Sequence, residues 1–158
     1  MEQEQVRVNT GLAWPVKESF LRYVRSDPMG ATKVVAGAGE LAGGQGFYFP
    51  PATEAANEGR YNFAGAVQFR AHGGLMQVVI VDTVVDMTES VLLVRIDNEG
   101  TLRPMVDLEL PEPVQDGSVT MWQNVGTTLR AESVPTFGDV YPAGTPFDPL
   151  TIRVATPE

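Results

Sequence analysis

Apolar residues recur at every second position along most of this chain, and at every fourth in one stretch near its start. Period two marks a strand with one buried face, whereas a spacing of four marks one face of a helix. Val6 to Leu12 reads as an opening strand. Pro15 then suits a first helical turn, where its missing N–H costs nothing. Val16, Phe20 and Val24 form one helical face that ends near Ser26-Asp27-Pro28, because proline forbids continuation. Met29 to Gly46 is rich in glycine and alanine and predicts a loose connection with one short strand around Lys33 to Ala36.

Strand signals strengthen from there. Phe47-Tyr48-Phe49 is stopped by Pro50-Pro51, and Tyr61, Phe63, Val67 and Phe69 alternate with Asn62, Ala64, Gln68 and Arg70 as one strand should. His72-Gly73-Gly74 predicts a tight turn, with a return strand from Leu75 to about Val85. Val91 to Ile96, the turn Asp97-Asn98-Glu99-Gly100, Leu102 to Leu110, Val119 to Trp122, Thr127 to Ala131 and Leu150 to Val154 complete the pattern. Many short strands, frequent turns and one helix predict an all-β, mainly β, β-sandwich-like domain with one short N-terminal α-helix.

Composition narrows the function classes. At 158 residues and 43% hydrophobic content the chain suits a single domain over residues 1–158. Eleven basic against twenty acidic residues give a net charge of −9, which excludes nucleic acid as an expected partner, since a phosphate backbone needs a positive stripe. No apolar run approaches the roughly 20 residues that cross a bilayer. The opening Met-Glu-Gln-Glu-Gln has neither the basic nor the apolar region of a secretory signal. With no cysteine, disulfides, thiolate metal sites and cysteine nucleophiles are all ruled out.

Three separated blocks carry a resemblance. The helix reads W-x-V-K-x-S-F-x-x-Y-V through Trp14, Val16, Lys17, Ser19, Phe20, Tyr23 and Val24. Gly65, Val67, Phe69, His72, Gly74 and Leu75 form a second block, and Phe137 to Thr151 a third. Together they resemble, in order and over nearly the whole chain, the HtaA-type haem-binding domain of actinobacterial iron-uptake proteins. The stretches Met29 to Gln45 and Asp86 to Gly117 depart from that pattern. The resemblance implies a β-rich, non-enzymatic domain at the cell surface or secreted, which binds ferric haem b. Such a domain takes haem from host haemoproteins and hands it to other haem-uptake proteins, with a homodimer as a further option. By position, Tyr23 matches the iron-ligating tyrosine, His72 the histidine that supports it, and Ser19 a polar residue beside the pocket.

The chemistry is coherent. Ferric iron is a hard cation and a phenolate a hard anionic donor, which suits capture of Fe(III). A free phenol titrates near 10. Coordination and a hydrogen bond from an imidazole N–H both favour its ionised form, and His72 is the only imidazole in the chain. Strand parity puts His72 with Gln68 and Arg70 on the polar face, unless the glycines after it re-aim it. Lys17, Arg22, Arg25 and Lys33 are candidate partners for the haem propionates, against the plainer reading that they form a solvated helix face.

Plainer readings compete at every position. A helix tyrosine usually packs with its hydroxyl in water, and a lone histidine at a turn is usually solvated. Trp14, Trp122 and the Phe47-Tyr48-Phe49 aromatics read as packing, although an aromatic or Met76 is a candidate for the other haem face. A Ser-His-Asp triad lacks its nucleophile context, and neither zinc nor calcium spacing occurs. The rival functions are a haem-free β-sandwich adhesion or scaffold module and a carbohydrate-binding domain.

Overall fold

The computed structural model describes residues 10–41, 46–52, 59–71 and 76–155. The first strand, β1, covers Gly11–Trp14, and the helix α1 covers Glu18–Ser26. Short strands β2 (Ala31–Val35), β3 (Gly39–Glu40) and β4 (Phe47–Phe49) follow, then β5 (Arg60–Asn62), β6 (Ala66–Ala71), β7 (Met76–Val81) and β8 (Val84–Asp86). The second half supplies β9 (Val91–Arg95), β10 (Leu102–Glu109), β11 (Val114–Asp116), β12 (Val119–Leu129) and β13 (Pro146–Ala155).

All strand pairings among the described residues are antiparallel. A ten-stranded sheet runs β3-β4-β1-β13-β12-β10-β9-β8-β5, with β11 on β12, and a three-stranded sheet runs β2-β6-β7. The two sheets share one core, in which Val67, Phe69, Val78 and Ile80 of the small sheet join Leu12, Phe49, Leu92 and Ile152 of the large one. The fold is mainly β and sandwich-like, as the alternation predicts.

The predicted strand through Tyr61 and Phe69 is in fact two strands in different sheets. Its partner divides at the same level: β5 pairs β8 in the large sheet, and β6 pairs β7 in the small one. The bend is fixed by hydrogen bonds from Asp82 N–H to the Gly65 carbonyl at 3.0 Å and from Phe63 N–H to the Thr83 carbonyl at 2.8 Å. Gly65 has φ +107°, and a Cβ there would lie 2.8 Å from the Ala38 nitrogen. Only glycine turns the chain so close to another backbone.

Other boundaries shift for local reasons. Pro15 precedes the N-cap, Lys17, instead of sitting in the first turn. Val16 at φ 70° keeps the helix from starting earlier. The predicted strands at Val119 and Thr127 are one strand, β12, carried through register shifts on β13 between Trp122 and Thr127, where Asn124 takes φ 55°. Two 3₁₀ turns, Ala131–Ser133 and Pro135–Phe137, had no apolar period to announce them. The predicted opening strand falls partly outside the described residues, and β1 carries it on to Trp14.

Candidate functional site

Helix α1 is amphipathic as predicted, with Phe20, Leu21 and Val24 buried. Its anchor is a run of aromatic edge-to-face contacts. Phe20 meets Phe69 of β6 at 5.1 Å and Phe137 of the second 3₁₀ turn at 5.5 Å, and Phe137 meets Phe147 of β13 at 5.1 Å. Such pairs favour one relative orientation over others. The helix is thereby wedged between the small sheet and the segment that closes the large one.

Its N-terminus is held by β13. Lys17 makes no side-chain cap. Instead the Asp148 carboxylate accepts the Glu18 N–H at 2.9 Å, and the Asp148 N–H donates to the Val16 carbonyl at 3.0 Å. The Asp148 carbonyl in turn accepts the Trp14 indole N–H at 2.8 Å and the Thr127 hydroxyl at 3.0 Å. These bonds hold Val16, fully buried and β-branched, in a left-handed conformation that costs about 1–3 kcal/mol in general.

Tyr23 stands on the outer side of this wedged helix, 36% exposed. It lines a cavity of about 340 Å³ together with Met76, Gln77, Pro135, Thr136, Gly138 and Val140. That size falls in the usual small-molecule range, and the walls are mostly apolar. Gly138, at φ 70°, lets the wall close up: a Cβ there would lie 2.9 Å from the Met76 methyl carbon.

Ser19, one turn before Tyr23, is exposed and its hydroxyl lies 3.5 Å from that of Tyr141. Tyr141 packs edge-on against Phe137 and Phe147. Sequence reasoning did not single it out, because only the fold brings it to the helix. Val140, its neighbour, is 60% exposed at the rim of the Tyr23 cavity.

His72 lies outside the described residues, as do the Gly73 and Gly74 of its predicted turn. The residues that flank this turn are described: Ala71 ends β6, Met76 begins β7, and the two are cross-strand partners. Among the described residues no group of three or more histidine, cysteine, aspartate or glutamate side chains could hold a metal ion. No helix among them is long and apolar enough to cross a membrane.

Two of the four predicted basic partners, Lys17 and Arg22, are engaged by other groups of the chain. The Lys17 ammonium donates to the Pro146 carbonyl at 3.0 Å and sits 5.6 Å above the Tyr141 ring, while Arg22 pairs with Glu18 one turn back at 3.4 Å. Arg25 faces a different cavity, on the other side of the helix beside Phe47. Lys33 is exposed on β2.

The family model described as Htaa matches residues 9–153. The chain belongs to the HtaA family. Among solved structures, this HtaA chain is similar to the C-terminal domain of HtaA from Corynebacterium glutamicum, with a TM-score of 0.74 at 22% identity, covering 92% of this chain and 94% of that one. Heme binding protein HtaB from the same organism gives 0.72 at 20% identity, covering 92% of each chain. A domain-swapped dimer of a variant of the HtaA C-terminal domain gives 0.64 at 20%, covering 88% of this chain and 91% of that one. No curated protein sequence matches the chain. The HtaA match takes in all three sequence blocks, and the fold explains why they occur together. Helix α1 packs on Phe69 of the second block and is capped by Asp148 of the third.

Proposed function

We propose that this HtaA domain is a haem-capture and transfer module in which the Tyr23 phenolate ligates ferric haem b. The observation that carries the reading is a half-exposed phenol on a rigidly held helix, opening onto a cavity walled by Met76, Pro135, Gly138 and Val140. The donor set fits the group. A lone hard oxygen anion suits trivalent iron, and apolar walls suit a porphyrin face. Haem is cargo here, and the iron's ligand chemistry is what the phenolate meets when haem is bound.

His72 follows Ala71 directly in the chain, and the cross-strand partner of Ala71, Met76, lines the Tyr23 cavity. His72 lies outside the described residues, and its reading as the imidazole that supports the phenolate rests on the resemblance of its sequence block to the family. The paired hydroxyls of Ser19 and Tyr141 are donors suited to a propionate carboxylate. The similarity to Heme binding protein HtaB supports the same cargo. As in the sequence reading, the module acts at the cell surface or secreted, between haemoproteins and later carriers. Binding, with no chemical conversion, is its role.

The test is a hemin titration of the purified protein. Wild type should give a saturable Soret band with the charge-transfer features of phenolate-bound ferric iron, Tyr23→Ala should lose most binding, and His72→Ala should weaken binding or alter the spectrum with the fold intact. Equal binding by wild type and Tyr23→Ala would move the ligand elsewhere. A featureless wild-type titration would favour a haem-free scaffold or a carbohydrate-binding domain. The domain-swapped dimer seen for the related HtaA variant motivates sedimentation with and without hemin as a check for a homodimer.

A further inference from the structure

Exposed apolar side chains are not scattered over this domain. Of the six large ones among the described residues, Tyr23 and Val140 line the candidate haem cavity and Val79 and Ile96 line the groove next to it. This groove, about 440 Å³, runs between β7 and β9 and shares Gln77 and Thr136 with the Tyr23 cavity. Clustering of this kind marks an interaction surface, whereas single exposed apolar residues need no explanation. Strand β7 should alternate apolar-in and polar-out, yet two of its three outward positions, Val79 and Val81, are valine. It is also the edge of the three-stranded sheet, with no backbone partner on its outer side among the described residues.

The charges in the groove indicate what lies in it. Arg95 is paired with Asp82 at 2.8 Å, and Asp97 accepts the N–H groups of Glu99 and Thr101 at 2.9 and 3.0 Å. Arg103 has no ion pair or hydrogen bond among the described residues. It is half-buried and stands directly opposite Val94, so its side chain leaves the large sheet on the face that builds the main core. An arginine on a core-facing row with no partner among the described residues, in a chain of net charge −9, suits an external carboxylate. A second copy of so acidic a chain is electrostatically disfavoured.

We propose that this groove docks an extended, apolar segment of another protein, bearing a carboxylate that Arg103 receives while Val79 and Ile96 bury its flanking side chains. The segment lies along the open edge of β7, in the manner of strand addition, at the doorstep of the Tyr23 cavity. The proposal does not depend on haem binding.

Two synthetic peptides test it by amide NMR on the labelled full chain without hemin. One alternates valine and threonine over seven residues with a central glutamate, and the other carries lysine there. The glutamate peptide should shift the signals of Gln77–Val81, Ile96 and Arg103 saturably, about tenfold more tightly than the lysine peptide. Arg103→Glu should reverse that preference, and Arg103→Gln should abolish it with an unchanged unfolding midpoint. Equal binding of both peptides, or shifts confined elsewhere, would overturn the proposal. So would concentration-dependent dimerisation abolished by Val79→Lys, which would assign the groove to a second copy.

Discussion

The Asp148 carboxylate caps the helix of Tyr23 from the far end of the chain, accepting the Glu18 N–H at 2.9 Å. A helix leaves its first N–H groups without partners, and a carboxylate there also meets the positive end of the helix dipole. Here the cap comes from β13, so the direction of α1 is tied to the large sheet and not to its own flanking residues. Asp148→Ala should cost about 0.5–2 kcal/mol of stability and weaken hemin binding beyond what that loss explains, because the Tyr23 helix loses its reference. Asp148→Asn, which keeps an acceptor oxygen, should recover most of both. Urea unfolding alongside hemin titration checks the pair, and an alanine variant with wild-type affinity would show that the cap does not position Tyr23.

Gly138 and Met76 meet across the wall of the Tyr23 cavity. A methyl group at residue 138 would press on the end of a flexible side chain, and Met76 can yield only by shifting toward or away from the cavity. The φ of 70° adds strain for any other residue. Gly138→Ala should therefore lower stability by about 1 kcal/mol and alter hemin affinity. In a double-mutant cycle with Met76→Ala the affinity effect should shrink, since the contact partner is gone. Additive effects on hemin binding would place Met76 outside the haem contact.

Much of this architecture is legible in the alternation of residues, and what is missed has a common cause. Phe69 and Val78 obey period two on one side of the bend and Tyr61 and Val85 on the other, so nothing in the pattern reports that the hairpin changes sheets at Gly65. Period two records which face is buried, not which sheet buries it. The helix face of Phe20 and Val24 is equally plain, but its start depends on Val16 and Asp148, which are joined only by folding. The candidate site follows the same division. Tyr23 and Ser19 are one turn apart and visible together, whereas Tyr141, Thr136 and Gly138 come from a segment with no periodic signal and reach the helix through Phe137.

Gly65→Ala tests the bend itself. The new Cβ would approach the Ala38 nitrogen at 2.8 Å and its Cβ at 2.8 Å, and β2 to β3 would have to move to admit it. Because φ is +107° there, alanine is strained even where space is available. The loss should exceed about 1 kcal/mol, lowering the thermal midpoint by about 2–4 °C for each kcal/mol. An unchanged midpoint would mean that the crossover relaxes freely and that glycine is not required.

Asp86 predicts how the large sheet fails in acid. It is buried on β8, and its carboxylate accepts the Glu89 and Thr88 N–H groups at 2.9 Å and the Arg60 guanidinium at 3.1 Å. The Glu89 N–H leads in holding its pKa below the usual aspartate value, with Arg60 and the Thr88 N–H adding to it against the opposing effect of burial. An unfolded aspartate titrates near 3.9. A group depressed on folding stabilises the native state fully above that unfolded value, and the contribution fades as pH falls through the lower, folded one. Asp86→Asn should thus cost about 1.5–3 kcal/mol at pH 7, the usual worth of hydrogen bonds to a charged group. Its stability gap to wild type should narrow as pH falls below about 3.9, because the wild-type carboxylate becomes neutral as well. Denaturant unfolding of both proteins at pH 7 and pH 3 measures this, and a gap of equal size at the two values would show that ionised Asp86 does not stabilise the fold.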